Sequence, residues 1–389
     1  MTQPLRLLAL THSLGGGGAE RFLATLVNHL DRQSFAPEVC AATRLAPYPL
    51  ASDVPLTSLD YRGTLTLPRT VRRLRLKIRE RRPDLVLSNV LSTNALAGAA
   101  LRGLEPRPPW VARIGNAPGL GEPRLQRWWA RRCYGMAAAL VTNSSGSREA
   151  FARCYPETVG RLRHLPSPAD FARLDGLAAA PAARRRGADP QLVWMGRLTR
   201  QKRPDLLIAA FAELAQRRRV RLWICGEGPL RGQVESEIAS AGLGETVELL
   251  GFVENPFALM RQADLFVLTS DYEGLPNALI EAQGLGLAAV STRCPHGPDE
   301  IIAEGETGLL VPPGDAAALA AALDRLLAAP EERRRMAERA RELARARYSV
   351  ETVLPAWERL LLESAKREVG GGVPSPREGE EGFEGGGEI

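Results

Sequence analysis

Leu265-Phe266-Val267-Leu268-Thr269, then Asp271-Tyr272-Glu273-Gly274-Leu275-Pro276-Asn277-Ala278-Leu279-Ile280-Glu281-Ala282, is the stretch that decides the fold. The apolar run 265–269 has the length of a strand and no polar face, as a strand covered on both sides requires. A short loop carrying Glu273 follows. Pro276 then opens a helix, where its missing N–H costs nothing and its φ is already helical. Glu281 lies eight residues beyond Glu273, about one and a half turns into that helix.

The same unit recurs outward in both directions. Upstream, strands are expected at 192–198, 222–226 and 247–252, and downstream at 288–292, with helices between them. Two long helices, 316–328 and 331–347, close this half, and a last one covers 350–365. The first half repeats the pattern, with strands at 5–14, 37–43, 56–61, 84–90, 110–114 and 139–143. Its helices are expected at 19–30, 68–81, 92–101 and 123–136. Repeated βα alternation implies an α/β fold of parallel sheets with helices on both faces. The chain has 389 residues, which at about 150 per domain means two domains. Two facing Rossmann-like halves place a ligand outside the carboxyl ends of their strands, in the cleft between them.

We therefore divide the chain into an N-terminal domain (1–174), a linker (175–190), a second domain (191–349), a terminal crossover helix (350–366) expected to pack back toward the N-terminal domain, and a tail (367–389). The linker is Ala-, Pro- and Arg-rich without a period. The Gly- and Glu-rich tail has too little apolar surface to fold and is expected to be disordered.

Hydrophobic content of 44% and charged content of 25% are those of an ordinary globular protein. Five cysteines, Cys40, Cys133, Cys154, Cys225 and Cys294, form no pair at metal-ligand spacing, which suits a reducing cytoplasm. The apolar N-terminus is too short for a signal peptide, and no run of 18 apolar residues offers a membrane span. Only three residues are lysine, Lys77, Lys202 and Lys366, among 51 basic ones. Scattered arginine carries little information in such a chain, whereas a lysine at a given position arises by chance in under about one case per hundred.

Several motifs bear on chemistry. Gly15 to Gly18, with Ala19 and Glu20, follow the first strand, where backbone amides and a helix N-terminus favour an anion; a plain helix-capping turn fits equally well. Gly196-Arg197-Leu198 and Lys202 put two cations between a strand end and a helix that starts at Pro204, a geometry suited to a diphosphate. Gly226-Glu227-Gly228-Pro229 serves equally as a structural turn or a ligand turn. Glu273 and Glu281 could hold hydroxyls, and the amides of Gly274 and Leu275 could face a phosphate. His296, in Cys294-Pro295-His296-Gly297-Pro298, fits a loop residue better than a catalyst. No Asp-x-Asp pair, Walker loop or Gly-x-Ser-x-Gly elbow occurs.

Taken in order, the Gly17-Gly18-Ala19-Glu20 loop, Arg197 with Lys202, and the Glu273 to Glu281 motif resemble glycosyltransferase family 4, also called glycosyl transferases group 1, of GT-B fold. The resemblance spans residues 5–365. It implies an enzyme that moves a sugar from a nucleotide-sugar, usually uridine-linked, with retention and without a metal cofactor. It assigns the donor diphosphate to Arg197 and Lys202, the ribose to Glu281 and the transferred sugar to Glu273. Gly17 and Gly18 would face the phosphates. Many relatives carry a His after the fifth strand of the first domain; here that region holds Arg113 and Asn116, so either of these becomes the candidate sugar contact, with a plain turn residue before Pro118 as the other reading of Asn116. The Cys294 to Glu300 loop is similar to that of a subgroup that transfers N-acetylhexosamines in bacterial polysaccharide assembly. Rival functions are an epimerase or phosphorylase of the same fold, or a silent nucleotide-sugar-binding scaffold.

The net charge of +6 hides an asymmetry. Residues 1–187 hold 28 basic and 13 acidic side chains, and residues 188–389 hold 23 and 32. The basic excess gathers in 69–82, where Val71, Leu74 and Ile78 form an apolar stripe, and in Arg124, Arg127, Trp128, Trp129, Arg131 and Arg132. Two readings stand: peripheral docking on the anionic inner face of the cell membrane to reach a glycan or lipid-linked acceptor, or ordinary helices whose stripes pack inward. No nucleic-acid motif accompanies the charge.

Overall fold

In a computed structural model of the chain, residues 3–15, 17–43, 48–115, 131–182 and 187–366 are described. They form two parallel sheets. The first takes β1 (Leu5–Thr11), β2 (Phe35–Ala41), β3 (Leu56–Ser58), β4 (Leu85–Asn89), β5 (Trp110–Ile114), β6 (Ala139–Thr142) and β7 (Leu162–His164) in the order β3-β2-β1-β4-β5-β6-β7. The second takes β8 (Gln191–Met195), β9 (Arg221–Cys225), β10 (Val247–Gly251), β11 (Leu265–Leu268), β12 (Ala288–Thr292) and β13 (Gly308–Val311) in the order β10-β9-β8-β11-β12-β13. Every pairing is parallel. The strand order therefore reverses between β1 and β4 in one sheet and between β8 and β11 in the other. Those switch points are where such sheets open a crevice at their carboxyl ends.

The apolar strands read from the sequence are buried on both faces, as in β4 and β11. Each sheet has a hydrophobic cluster on either side. The terminal helix, Val350–Ala365, crosses back to the first domain, so the predicted GT-B architecture with its crossover helix is present. Trp357 is fully buried beside Phe22, their rings 5.0 Å apart, and its indole N–H donates to the Pro166 carbonyl at 3.0 Å.

Three expectations need correction. Residues 175–179, assigned to the linker, continue the helix Phe171–Ala179. Asp170 caps it by accepting from the Arg173 amide, and Phe171, Leu174 and Ala178 recur at helical spacing on its buried side. Residues 308–311, where no strand is expected, form β13 on the sheet edge, and β7 is likewise an unexpected three-residue edge strand. The stripe of helix Leu67–Arg81 is spent inside the domain, because Leu74 and Ile78 are buried and Val71 packs on the same cluster. The tail 367–389, Asn116, Arg124, Arg127, Trp128 and Trp129 lie outside the described residues.

Candidate active site

The two switch points face each other across a cleft of about 1750 Å³. Gly17, Gly18, Arg197, Lys202, Gly274, Leu275, Glu273 and Glu281 all line it. Residues nominated separately along 265 positions thus converge on one space.

On the C-terminal side, the loops after β8 and β11 are stitched together. The Asp271 amide donates to the Gln201 carbonyl and the Gln201 amide side chain to the Tyr272 carbonyl, both at 2.8 Å. Thr269 Oγ1 donates to the Lys202 carbonyl at 2.7 Å and accepts from the Trp194 indole at 3.0 Å. Arg203, in the left-handed region, bridges Asp205 and Asp271. This framework fixes Lys202 Nζ 2.5 Å from Glu273 Oε1, which also accepts from Ser270 Oγ at 2.6 Å. Glu273 is only 6% exposed and Lys202 20%. Arg197 stands exposed on the cleft wall and makes no ion pair among the described residues.

The turn at Gly226 and Gly228 lies at the cleft and packs closely on its neighbours. A Cβ on Gly226 would sit 1.7 Å from the Gly196 carbonyl oxygen, and one on Gly228 2.4 Å from that of Leu198. The glycines let this turn press against the Arg197 loop and set its path.

Glu281 is buried in the helix Asn277–Gly284, not an exposed helix carboxylate. Burial pushes its carboxyl up from the ordinary value, and the charge of Arg21 opposes that shift. Arg21 belongs to the other domain, in the first turn of helix Gly18–His29, and its Nη1 donates to Glu281 Oε2. Burial also works against the Arg21 charge, but Glu281 and Tyr48 outweigh it. Asn277 Nδ2 donates to the Gly18 carbonyl at 2.7 Å, so the glycine loop meets the start of the opposing helix. Glu300 accepts from the amides of Ser145 and Gly146 at 3.0 and 3.1 Å, and so caps a helix of the first domain from the second. His296 packs against Gly146, where a Cβ would lie 2.4 Å from its Nδ1. Its place is the domain interface, on the lining of the cleft.

Arg113 is the other candidate for the sugar contact in place of the missing His. It is buried, donates to Asn89 Oδ1 and Ser167 Oγ at 2.8 Å each, and stacks 4.0 Å from the Phe22 ring. Burial lowers its pKa to about 9. Its role here is to brace β4, β5 and the residue before Pro168. Arg21, Asn277 and Glu300 were missed by sequence reasoning. Arg21 had one usable signal, its position directly after Glu20 in the glycine loop motif.

Among the described residues, no group of three or more His, Cys, Asp or Glu side chains is placed to hold a metal ion. None of the described helices is long and apolar enough to cross a membrane.

Comparison with known proteins identifies the family and the fold. Residues 16–173 match the model described as Glycosyltransferase Family 4, and residues 180–343 match Glycosyl transferases group 1. Over 368 residues the chain is 27% identical to a GalNAc-alpha-(1->4)-GalNAc-alpha-(1->3)-diNAcBac-PP-undecaprenol alpha-1,4-N-acetyl-D-galactosaminyltransferase of Campylobacter jejuni, covering 92% of this chain and 99% of that one. It is also 27% identical to the lipopolysaccharide core biosynthesis glycosyltransferase LpsE of Rhizobium meliloti, covering 89% and 96%. The crystal structure of Anabaena Alr3699/HepE in complex with UDP and glucose superposes with a TM-score of 0.77 at 19% identity, over 92% of this chain and all of that one, a likeness of fold.

Proposed function

We propose the following reaction for the chain, which belongs to glycosyltransferase family 4 and is a GT-B glycosyltransferase. A nucleotide-sugar, uridine-linked, binds the C-terminal domain. Its sugar passes, with retention, to a glycan or lipid-linked acceptor held by the N-terminal domain, in cell-surface polysaccharide or glycolipid synthesis. The observation that carries this reading is the Lys202–Glu273 pair at the β8/β11 switch point, beside Arg197 and the start of helix Asn277–Gly284.

Departure of a nucleoside diphosphate develops negative charge. Lys202 and Arg197, with the amides of Gly274 and Leu275 at the helix start, would receive it without a metal ion. The phosphates take Lys202 from Glu273, and the freed carboxylate accepts from hydroxyls of the transferred sugar. Glu281 holds the ribose. The bond between sugar C1 and the phosphate oxygen breaks while the acceptor oxygen bonds C1 on the same face. The acceptor proton leaves with the departing phosphate, so no histidine base is required; Asn116 would contact the sugar.

A melting panel of UDP-, GDP-, ADP- and dTDP-sugars, run with EDTA present, tests this. A ligand at 100 times its Kd adds about 2.7 kcal/mol of apparent stability. A shift with a UDP-sugar that Glu273→Ala abolishes is the expected result; no shift with any of the four refutes it.

The membrane reading now rests on a different surface. Leu65, Leu67 and Leu76 are exposed, and Leu76 neighbours Arg72, Arg73 and Arg79 on the helix. Arginine beside exposed leucine suits an anionic bilayer. Sedimentation with anionic but not neutral vesicles is expected, and equal binding to both would remove this part of the proposal.

A further inference from the structure

The carboxylate of Glu281 has one hydrogen-bond donor among the described residues, and that donor belongs to the opposite domain. Arg21 reaches it with Nη1 while its Nε donates to the Tyr48 hydroxyl at 2.8 Å. The guanidinium carbon lies 5.4 Å from the Tyr48 ring centroid and 5.2 Å from that of Phe257. Both partners of the ion pair are largely buried, Arg21 19% and Glu281 5% exposed.

We propose that Arg21 is a positioning residue of the donor site supplied by the N-terminal domain, and that it competes with the ribose hydroxyls of the nucleotide for Glu281. This rests on the reading of Glu281 as the ribose carboxylate. A buried carboxylate that loses its only donor keeps an uncompensated charge, so Arg21 holds the two domains together at this point until another donor replaces it. Ribose hydroxyls are such donors. The displaced guanidinium is not stranded, because the Tyr48 hydroxyl, on its own domain, still accepts from its Nε. The cost of separating Arg21 from Glu281 is subtracted from nucleotide binding, since only differential interaction shifts an equilibrium. Arg21 thereby limits how tightly donor and nucleotide product are held.

Calorimetric titration of UDP and of 2′,3′-dideoxyuridine 5′-diphosphate into the wild type, Arg21→Met and Arg21→Gln tests the competition. Arg21→Met is expected to bind UDP about five-fold tighter or more, the lower range of linked-site coupling. The dideoxy analogue, which lacks the competing hydroxyls, gains nothing. Arg21→Gln keeps a donor toward Glu281, which protects the fold, and shifts UDP affinity in the same direction by a smaller factor. Unchanged or weaker UDP binding in both variants, or an equal gain with the dideoxy analogue, overturns the inference while leaving the donor site standing. A wild type that binds none of UDP, GDP and ADP overturns the donor reading and this inference with it.

Discussion

Replacing Lys202 with Met keeps the aliphatic stem and removes the charge. Glu273, 6% exposed, would then retain only the Ser270 hydroxyl at 2.6 Å. Removing one partner of a buried pair costs about 3–5 kcal/mol. Lys202 is 20% exposed, so water reaches one side of the pair and the lower end, about 3 kcal/mol, applies. Adding Glu273→Gln removes the stranded charge, and the double variant should return to within about 1 kcal/mol of the wild type. Nucleotide affinity behaves differently. A hydrogen bond to a charged phosphate contributes about 1.5–3 kcal/mol, or about 10- to 150-fold in Kd. That loss should appear in Lys202→Met and persist in the double variant. Urea denaturation reads the first quantity and calorimetric titration with UDP the second. Recovery of stability without recovery of UDP affinity is the expected pattern. If UDP affinity in Lys202→Met stays within three-fold of the wild type, Lys202 does not meet the phosphates and its only work is to neutralise Glu273.

Two further outcomes follow from the interface. A Cβ on Gly274 would lie 2.0 Å from the Gly115 carbonyl oxygen and 2.9 Å from Asn143 Oδ1, both on the opposite domain. Gly274→Ala should hold the cleft open, raise the radius of gyration in solution scattering and lower transfer about 100-fold; an unchanged radius with full activity contradicts this. Burial, helped by Arg153, lowers the His296 pKa from its ordinary 6.5, against the opposing charges of Asp299, Glu300 and Glu149. The unfolded chain therefore takes up the proton first as pH falls below 6.5, and stability present at neutral pH is lost as pH drops through the folded value. Asn tolerates the positive φ of this position, so His296→Asn should flatten the melting temperature between about pH 7 and 5. A variant that keeps the wild-type pH slope would place the titration elsewhere.

What the sequence disclosed, and what it did not, divides by range. Strands such as β4 and β11 are legible because both faces are buried and each reads as an apolar run. The edge strands β7 and β13 are three and four residues long and carry too few positions for a pattern. Lys202 stood out because lysine is rare here, and Glu273 because of its loop. Their contact depends on β8 and β11 being neighbours across 71 residues, which no local pattern states. Arg21 is the reverse case. Its partner is 260 residues away, and in a chain with 48 arginines its type carries no signal. Sequence reasoning accordingly sorted the cations toward phosphates and the carboxylates toward hydroxyls, each considered alone. The fold pairs them with one another, Lys202 with Glu273 and Arg21 with Glu281. A donor entering this cleft must exchange two existing ion pairs for its own contacts. Its affinity is then a difference between two sets of interactions, and single substitutions at these four positions should not change it additively.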